Sequence, residues 1–458
     1  MKEQRHVGLD KGKGVSERFT SSGFIFAAIG SAVGLGNMWK FPYITGLYGG
    51  AAFFLLFVIC LVIIGLPVLL AELAIGRGGR GSVSSSFQRL SGKKGWGALG
   101  FISIIAPFFI LSFYAVVAGW TMYYAVISFS GQLFKSTDYA GQFDSFIGSW
   151  NPVIWQFIAL FLTALVIIKG VSAGIEKFNK IFIPGLVILL VILVIRALTL
   201  DGAGEGVSFF LRPDFSKLSA ESALVALGHA FFSLSLGMGT MITYGAYVDK
   251  RQSLGGATIA IGLGDLLYAF LAGLIIFPTT FSFGIEAGQG PGLVFVALPA
   301  AFGAMPLGNL FGGLFFLLLA FAALTSTVSL LEVPVAFVKD KFGWSRSLSV
   351  IVIAAAIFLI GVPSALSVGG AVDGLEFGNK SLFDWVDFIC SNIILPVGGL
   401  IVTLFVGYVW KGVAEESGLS APWFRVWLFM VRFVAPILVV LVLLYSAGLL
   451  TLIFPNLG

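Results

Sequence analysis

Charge is scarce in this sequence: of its 458 residues only 11% are Asp, Glu, Lys or Arg, about half the share of a soluble domain. Since 58% are hydrophobic and 46 are phenylalanine, a water-soluble core is excluded and a polytopic membrane protein is expected. Cysteine is nearly absent; Cys60 and Cys390 both lie in apolar stretches, so neither a disulfide framework nor a cysteine metal site is expected. Only His6 and His229 are available as histidine ligands or bases. No ten-residue segments of alternating polarity appear, which argues against a β-barrel. The polar amino-terminal tail lacks a signal-peptide pattern and is expected to be retained.

Long apolar runs are abundant. A helical span needs about 20 mostly apolar residues, and eleven stretches qualify: Phe24–Leu47, Ala51–Gly76, Gly97–Gly131, Trp150–Gly170, Phe178–Leu198, Ala220–Tyr247, Gly255–Phe283, Leu307–Lys339, Ser345–Pro363, Phe383–Trp410 and Trp423–Phe454. Lys and Arg concentrate in the tail (Lys2, Arg5, Lys11, Lys13, Arg18), after span 2 (Arg77, Arg80, Arg89, Lys93, Lys94) and in the loops after spans 4, 6, 8 and 10. Positive loops stay in the cytoplasm, so the amino terminus is expected inside and the carboxyl terminus outside a cell membrane, in a host read as bacterial. This bias accounts for the net charge of +5. Lipid is the implied partner; no nucleic acid and no obligatory protein partner is called for.

Two spans are interrupted. Span 1 carries "GSAVGLGNMWK", Gly30 to Lys40, and span 6 carries "FFSLSLGMG", Phe231 to Gly239. Gly30 and Gly34 alone form a GxxxG pair, which more often means close helix packing. Packing does not account for Asn37 and Lys40, nor for Ser233 and Ser235, since polar groups at membrane depth are expensive and usually functional. The interruptions lie five spans apart, and paired Gly-interrupted spans at matching positions of two inverted halves point to a transporter site. The expected fold is all-α with a 5+5 inverted repeat: tail 1–18, first repeat 19–198, extracellular loop and second repeat 199–410, and an appended span 11 in 411–458. Unwound backbone is tolerated in a bilayer only where it lines a cavity or coordinates something. Freed carbonyls with Ser, Thr, Asn or Asp oxygens suit a hard cation, and helical N–H groups near Gly36 suit a carboxylate. Sodium and a zwitterion fit together.

The stretches "GSAVGLGNMWKFPY", "GGAAF", "FFSLSLGMG" and "LTSTVSLLEVP" resemble the neurotransmitter:sodium symporters, above all their bacterial amino acid members. The resemblance implies the leucine-transporter fold, an established example of broken helices in inverted repeats, and sodium-coupled uptake rather than an enzyme. It puts a first sodium on the Ala32 carbonyl, Asn37, Ser233 and Asp265, with the substrate carboxylate. A second sodium falls to Gly30, Val33, Ala322, Thr325 and Ser326; by themselves Thr325 and Ser326 read equally well as hydroxyls bonded back to their own helix. The implied substrate site comprises Ser31, Ala32, Leu35 and Gly36 of the break, Ile110 and Tyr114 of span 3, Phe232, Ser233, Ser235 and Met238 of span 6, and Ser326 and Leu330 of span 8. Tyr114 would meet the carboxylate and Phe232 would close over the ligand.

Departures from the family pattern refine this. Met238 stands where the leucine transporter has phenylalanine; methionine adapts to differently shaped neighbours, implying a permissive pocket for hydrophobic and aromatic L-amino acids. Gly34 replaces the acid of amine transporters, so the substrate is expected to keep its carboxylate. Asp265 stands where asparagine is commoner, and Phe57, His229 and Ala269 cannot build the family's chloride site, so chloride-independent transport with two sodium ions is expected. For His229 two readings stay open: neutral core, or a hydrogen bond to Asp265 with proton exchange. The resemblance assigns Lys40 and Asp387 to an outer gate, with Lys replacing the commoner Arg, and Tyr247, Glu332 and Asp340 to an inner latch. The latch lacks a clear amino-terminal partner, for which Arg18 or Lys13 is available, with Phe19 in place of the usual Trp. Gly174 and Pro184 match the family's Gly-x9-Pro element, whose Pro removes a helical hydrogen bond, letting the inner end of span 5 unwind and admit water to the second sodium. A proton-coupled carrier using Asp265 and His229 is the alternative. "GVSAG", Gly170 to Gly174, matches a hydrolase pattern without strand context, and a channel suits an occluded pocket poorly.

Overall fold

The computed structural model describes residues 18–285, 292–372, 374–378 and 380–449. Among the described residues nine helices are long and apolar enough to cross a membrane: span 2 (Ala51–Gly79), span 3 (Lys94–Phe129), span 4 (Asn151–Ile168), span 5 (Val171–Leu198), span 7 (Leu254–Ser282), span 8 (Gly308–Phe342), span 9 (Arg346–Ser367), span 10 (Leu382–Val409) and span 11 (Ala421–Ser446). Span 1 is a pair, 1a (Ser21–Ala32) and 1b (Gly36–Leu47), bent by 42°. Span 6 is likewise divided into 6a (Ala220–Ser233) and 6b (Thr240–Ala246). The chain is an all-α polytopic membrane protein, and both breaks lie where the glycine and serine pattern puts them. Below, "inner" denotes the side that carries the amino-terminal end of span 1.

Local chemistry explains each break. Span 1a begins at Thr20, whose hydroxyl caps the Gly23 N–H, and ends when Val33 turns extended (φ −79°, ψ 95°). In span 6 three residues take the left-handed region, Ser235 (φ 55°), Gly237 (78°) and Gly239 (70°), a conformation that stops a right-handed helix and that glycine adopts freely. Ser235 pays strain to be there, a cost met at sites where surrounding contacts fix the backbone.

Spans 3 and 8 are the most enclosed, with 72% and 83% of their most apolar windows buried, against 28% to 33% for spans 4, 5 and 11. Spans 3 and 8 therefore form the centre, and spans 4, 5 and 11 present exposed Ile, Leu, Val and Phe side chains to lipid. Close approaches run over glycine. A Cβ on Gly76 of span 2 would overlap the Ile242 carbonyl, and one on Gly245 would lie 2.6 Å from the Leu73 carbonyl. Backbone-level packing of span 2 on span 6b follows, the small-residue contact that membrane helices favour.

Several boundaries differ from the sequence reading. Span 5 begins at Val171 rather than Phe178, because Glu176 and Lys180 pair at 2.6 Å one turn apart and let the helix run through residues that read as a charged loop. "GVSAG" is the π-helical first turn of that span (Val171–Glu176), with no strand before it, so no nucleophile elbow exists there. Span 11 ends at Ser446; residues 450–458, and the tail with Lys13, lie outside the described residues. Short helices at Val83–Ser91, Tyr139–Ile147, Ala203–Leu211 and Leu293–Ala304, and a hairpin pairing Glu376–Phe377 with Lys380–Ser381, fill the connections.

Gly76→Val tests the span 2 to span 6b contact. Overpacking costs about 1–3 kcal/mol, so the detergent-purified variant should melt below the parent; an unchanged melting midpoint contradicts the packing described.

Candidate functional site

The end of span 1a exposes four carbonyls that have no partner further along the helix. The Val33 N–H takes that of Ile29 at 2.7 Å, and the Ser235 hydroxyl takes that of Ser31 at 2.9 Å. Among the described residues nothing bonds the oxygens of Gly30 and Ala32. These are one carbonyl from each sodium set implied by the sequence. On the other side of the break the Leu35 N–H donates to the Tyr114 hydroxyl at 3.1 Å, and Asn37 N–H to the Gly34 carbonyl at 3.3 Å.

The structure brings Asn37, Ser233 and Asp265 together, all buried. Asn37 Nδ2 donates to Asp265 Oδ1 at 2.8 Å and to the Asp265 carbonyl at 3.3 Å. The Ser233 hydroxyl lies 2.6 Å from Asp265 Oδ1 and 3.0 Å from Asn37 Oδ1. Asp265 Oδ2 has no hydrogen-bond partner. A buried carboxylate with one oxygen in reserve, beside an amide oxygen and a hydroxyl, is a hard-cation donor set. Opposite, the Thr325 hydroxyl donates to the Ala322 carbonyl at 2.9 Å and sits 3.5 Å from the Val33 carbonyl, and a Cβ on Gly34 would lie 2.5 Å from Ser326 Oγ. The "LTST" segment of span 8 thus faces the break in span 1, and Thr325 also makes the back-bond to its own helix.

Between these groups lies a cavity of about 30 Å³ lined by Ser31, Ala32, Gly34, Gly36, Asn37, Ile110, Tyr114, Phe232, Ser233, Ser235, Met238, Ser326, Ser329 and Leu330. Leu35 lines instead the outer cavity of about 280 Å³, which shares Gly36, Tyr114 and Phe232 with the first. Phe232 therefore separates the two. Lys40 and Asp387 line the outer cavity without a direct ion pair among the described residues: Lys40 Nζ stands 5.3 Å over the Phe232 ring, and Asp387 accepts from Ser391 at 2.7 Å.

On the inner side the structure separates residues that the sequence groups. Tyr247 donates to Glu332 Oε1 at 2.7 Å, and Arg346 of span 9 holds Glu332 Oε2 at 2.6 Å. Asp340 is instead held after span 2, by the Ser82 N–H at 3.0 Å, the Ser85 hydroxyl at 2.5 Å and Arg89 at 3.7 Å. Arg18 pairs with Asp249 at 3.2 Å and not with Asp340. Asp249 is solvent-exposed, and its carboxyl is held below the usual range by the Arg251 N–H and then by Arg18. Phe19 packs edge-on against Tyr244 and Tyr247, ring centroids 5.5 and 5.9 Å away, closing the inner side. Gly174 and Pro184 lie within a continuous span 5. His229 does not bond Asp265: both ring nitrogens lack partners, and the ring sits between Phe41 and Phe57 at 5.6 and 5.2 Å.

Three participants escaped the sequence reading. Glu72, fully buried, accepts the Gly237 N–H at 2.6 Å and anchors the break in span 6; its isolation as the single charge between Ala51 and Gly76 is the signal that marks it. Ser329 joins span 8 to span 1 through Ser31 at 2.9 Å, and reads in sequence as one more back-bonding hydroxyl. Arg346 reads in sequence only as a charge at the start of span 9.

Comparison with known proteins fits this geometry. Residues 17–143 and 139–453 match the Sodium:neurotransmitter symporter family. The sodium-dependent transporter YhdH of Bacillus subtilis is 39% identical over 447 residues, covering 94% of this chain and 97% of that protein. A sodium-dependent transporter of Haemophilus influenzae is 34% identical, covering 92% and 95%. A solved crystal structure of MhsT in complex with L-phenylalanine superposes with a TM-score of 0.88 at 43% identity, covering 94% of this chain and 100% of that one.

Glu332 is fully enclosed and the Arg346 side chain 11% exposed. Removing one partner of a buried pair costs about 3–5 kcal/mol, so Arg346→Met should open the inner side. In a background lacking Cys60 and Cys390, a Phe19→Cys reporter should react with thiol reagents faster once Arg346→Met is added; an equal rate contradicts the latch.

Proposed function

The chain belongs to the Sodium:neurotransmitter symporter family, and from that premise we propose that it imports bulky hydrophobic and aromatic L-amino acids, two sodium ions with each, without chloride. As a family member it is a sodium-dependent, multi-pass membrane transporter and not an enzyme. The observation that carries the finer reading is the break in span 1. The carbonyls of Gly30 and Ala32 have no hydrogen-bond partner among the described residues, and Ala32, Gly34, Gly36 and Asn37 of the break line one cavity with Tyr114, Ser233 and Ser326.

The substrate carboxylate lies against the amino end of span 1b near Gly36, where unpaired N–H groups favour an anion, and completes the first sodium shell. Ile110, Phe232, Met238 and Leu330 enclose the side chain. MhsT, similar along nearly the whole chain, was crystallised with L-phenylalanine, which supports a large apolar side chain here too. Asp265 supplies the negative charge that would otherwise need chloride, and Phe57 and Ala269 offer an anion no donor, which leaves only the imidazole N–H of His229, set between the Phe41 and Phe57 rings.

Inner is the cytoplasm in this reading. With the inner side shut by Phe19, Tyr247, Glu332 and Arg346, ligands enter past Lys40 and Asp387, and Phe232 closes over them. Each sodium ion moving down 100 mV yields about 2.3 kcal/mol and down a tenfold gradient about 1.4 kcal/mol. Two ions supply roughly 7 kcal/mol, enough for about 10⁵-fold accumulation of a neutral amino acid under tight coupling.

Uptake into proteoliposomes under an imposed sodium gradient tests this. Competition should rank tryptophan, phenylalanine, tyrosine and leucine above alanine and glycine, and preference for the small pair overturns the substrate class. Uptake should survive replacement of chloride by gluconate, whereas Asp265→Asn should lower it by about tenfold, a loss of about 1.4 kcal/mol. Uptake driven by protons without sodium favours the proton-coupled alternative.

A further inference from the structure

The seam between spans 10 and 11 holds a charge that the transport reading leaves unused. Each span carries a π-helical bulge there, Phe405–Val409 and Met430–Val434. A bulge interrupts the regular helical ladder, and carbonyls it frees must find donors elsewhere. Side chains from across the seam supply them: Arg432 Nε donates to the Gly407 carbonyl at 2.5 Å, and the Tyr408 hydroxyl donates to the Arg432 carbonyl at 2.9 Å. The guanidinium carbon stands 5.8 Å from the centre of the Tyr408 ring. A Cβ on Gly407 would lie 3.0 Å from Arg432 Cγ, so the arginine stem rests directly on span 10.

This grip spends one of the five guanidinium N–H donors. Among the described residues no carboxylate or carbonyl takes the hydrogens of Nη1 and Nη2. Glu416 of the adjoining loop is held by Arg77, and no ion pair joins Glu415 to Arg432. Arg432 is exposed, yet its neighbours do not form a polar surface: Tyr408, Phe429 and Phe433 are 57%, 58% and 49% exposed. Span 11 is also the least enclosed of the spans. The depth is that of the inner headgroups, because Gly407 and Tyr408 belong to the last turn of span 10 and the exposed Trp423 marks the interface at the first turn of span 11.

We infer that Arg432, held in place by Gly407 and Tyr408, binds the phosphate of an anionic phospholipid of the inner leaflet. A charge facing apolar surface at this depth is costly unless it is paired, and a fixed guanidinium fork matches two phosphate oxygens. Basic pockets between membrane helices on the cytoplasmic side take anionic headgroups. A zwitterionic headgroup brings its own ammonium to its phosphate and gains less from the arginine. Arg425, exposed about 10 Å nearer the inner end of the span, adds positive potential without a matching grip on span 10. The competing account is a plain interfacial anchor whose free N–H groups reach water.

The test titrates short-chain phosphatidylglycerol against the detergent-purified full chain and follows occupancy by the first bound lipid with native mass spectrometry. Phosphatidylcholine of the same chain length and inorganic phosphate form separate arms. Half-occupancy should need at least fivefold less phosphatidylglycerol than phosphatidylcholine, and Arg432→Gln should abolish that difference. Arg432→Lys keeps the charge but loses the fork, so its half-occupancy concentration should rise at least threefold; Arg425→Gln should shift it less than twofold. Equal binding of the two lipids by the parent, or a parent-like preference in Arg432→Gln, overturns the inference in favour of the water-facing anchor. An equal loss in Arg425→Gln overturns it in favour of diffuse surface charge, and displacement of the lipid by inorganic phosphate at equal concentration in favour of a free-anion site. Should Arg432→Gln fail to fold, Arg432→Lys decides alone, with parent-like binding overturning the inference.

Discussion

Backbone amides cannot be left bare in hydrocarbon, and the rest of the structure depends on how that constraint is met at two broken helices. In span 6 the freed N–H of Gly237 goes to Glu72, and the Ser235 hydroxyl reaches back to span 1. In span 1 the Leu35 N–H goes to Tyr114. These three groups are therefore paired by side chains from other spans, which fixes the breaks in register with each other. The carbonyls of Gly30 and Ala32 remain without a hydrogen-bond partner among the described residues.

That arrangement makes the two halves of the pocket interdependent. Asp265 holds both Asn37 of span 1 and Ser233 of span 6, so a cation bound there ties the two broken helices to span 7. Thr325 and Ser326 do the same between span 1 and span 8. In the proposed two-ion reading, ions at these places would stabilise one packing of span 1 over another, since a ligand shifts an equilibrium only by its differential affinity for the two states. The inner closure rests on a different kind of contact, a buried pair between Glu332 and Arg346 with Phe19 wedged beside it. Breaking a pair of that kind is costly, which in the proposed transport cycle would suit a gate that opens only after the sodium-bound arrangement is released.

Much of this was legible in the sequence, for identifiable reasons. Asn37, Ser233 and Asp265 are polar at membrane depth, and glycine clusters mark where a helix must stop; both signals survive without tertiary information. Partner choice does not. Asp340 and Glu332 are both acids on the inner half of span 8, and nothing local tells that one meets Arg346 while the other meets Ser82 and Ser85. The early start of span 5 was hidden because Glu176 and Lys180 read as loop charges until their pairing is seen. Lys40 and Asp387 share a cavity yet stand apart, since Lys40 lies over Phe232 instead. Glu72 was visible as an isolated charge, but its role required the Gly237 N–H to be located in space.

The central claim is that the break in span 1 serves two cations, one on each unclaimed carbonyl. The direct measurement is the reversal potential of amino acid flux in proteoliposomes, taken as the membrane voltage that nulls net flux at a series of sodium gradients. Two ions per neutral substrate predict that a tenfold amino acid gradient is balanced at half the sodium electrochemical gradient that a one-ion carrier needs. A null point that fits one ion, or that does not move with sodium, contradicts the account.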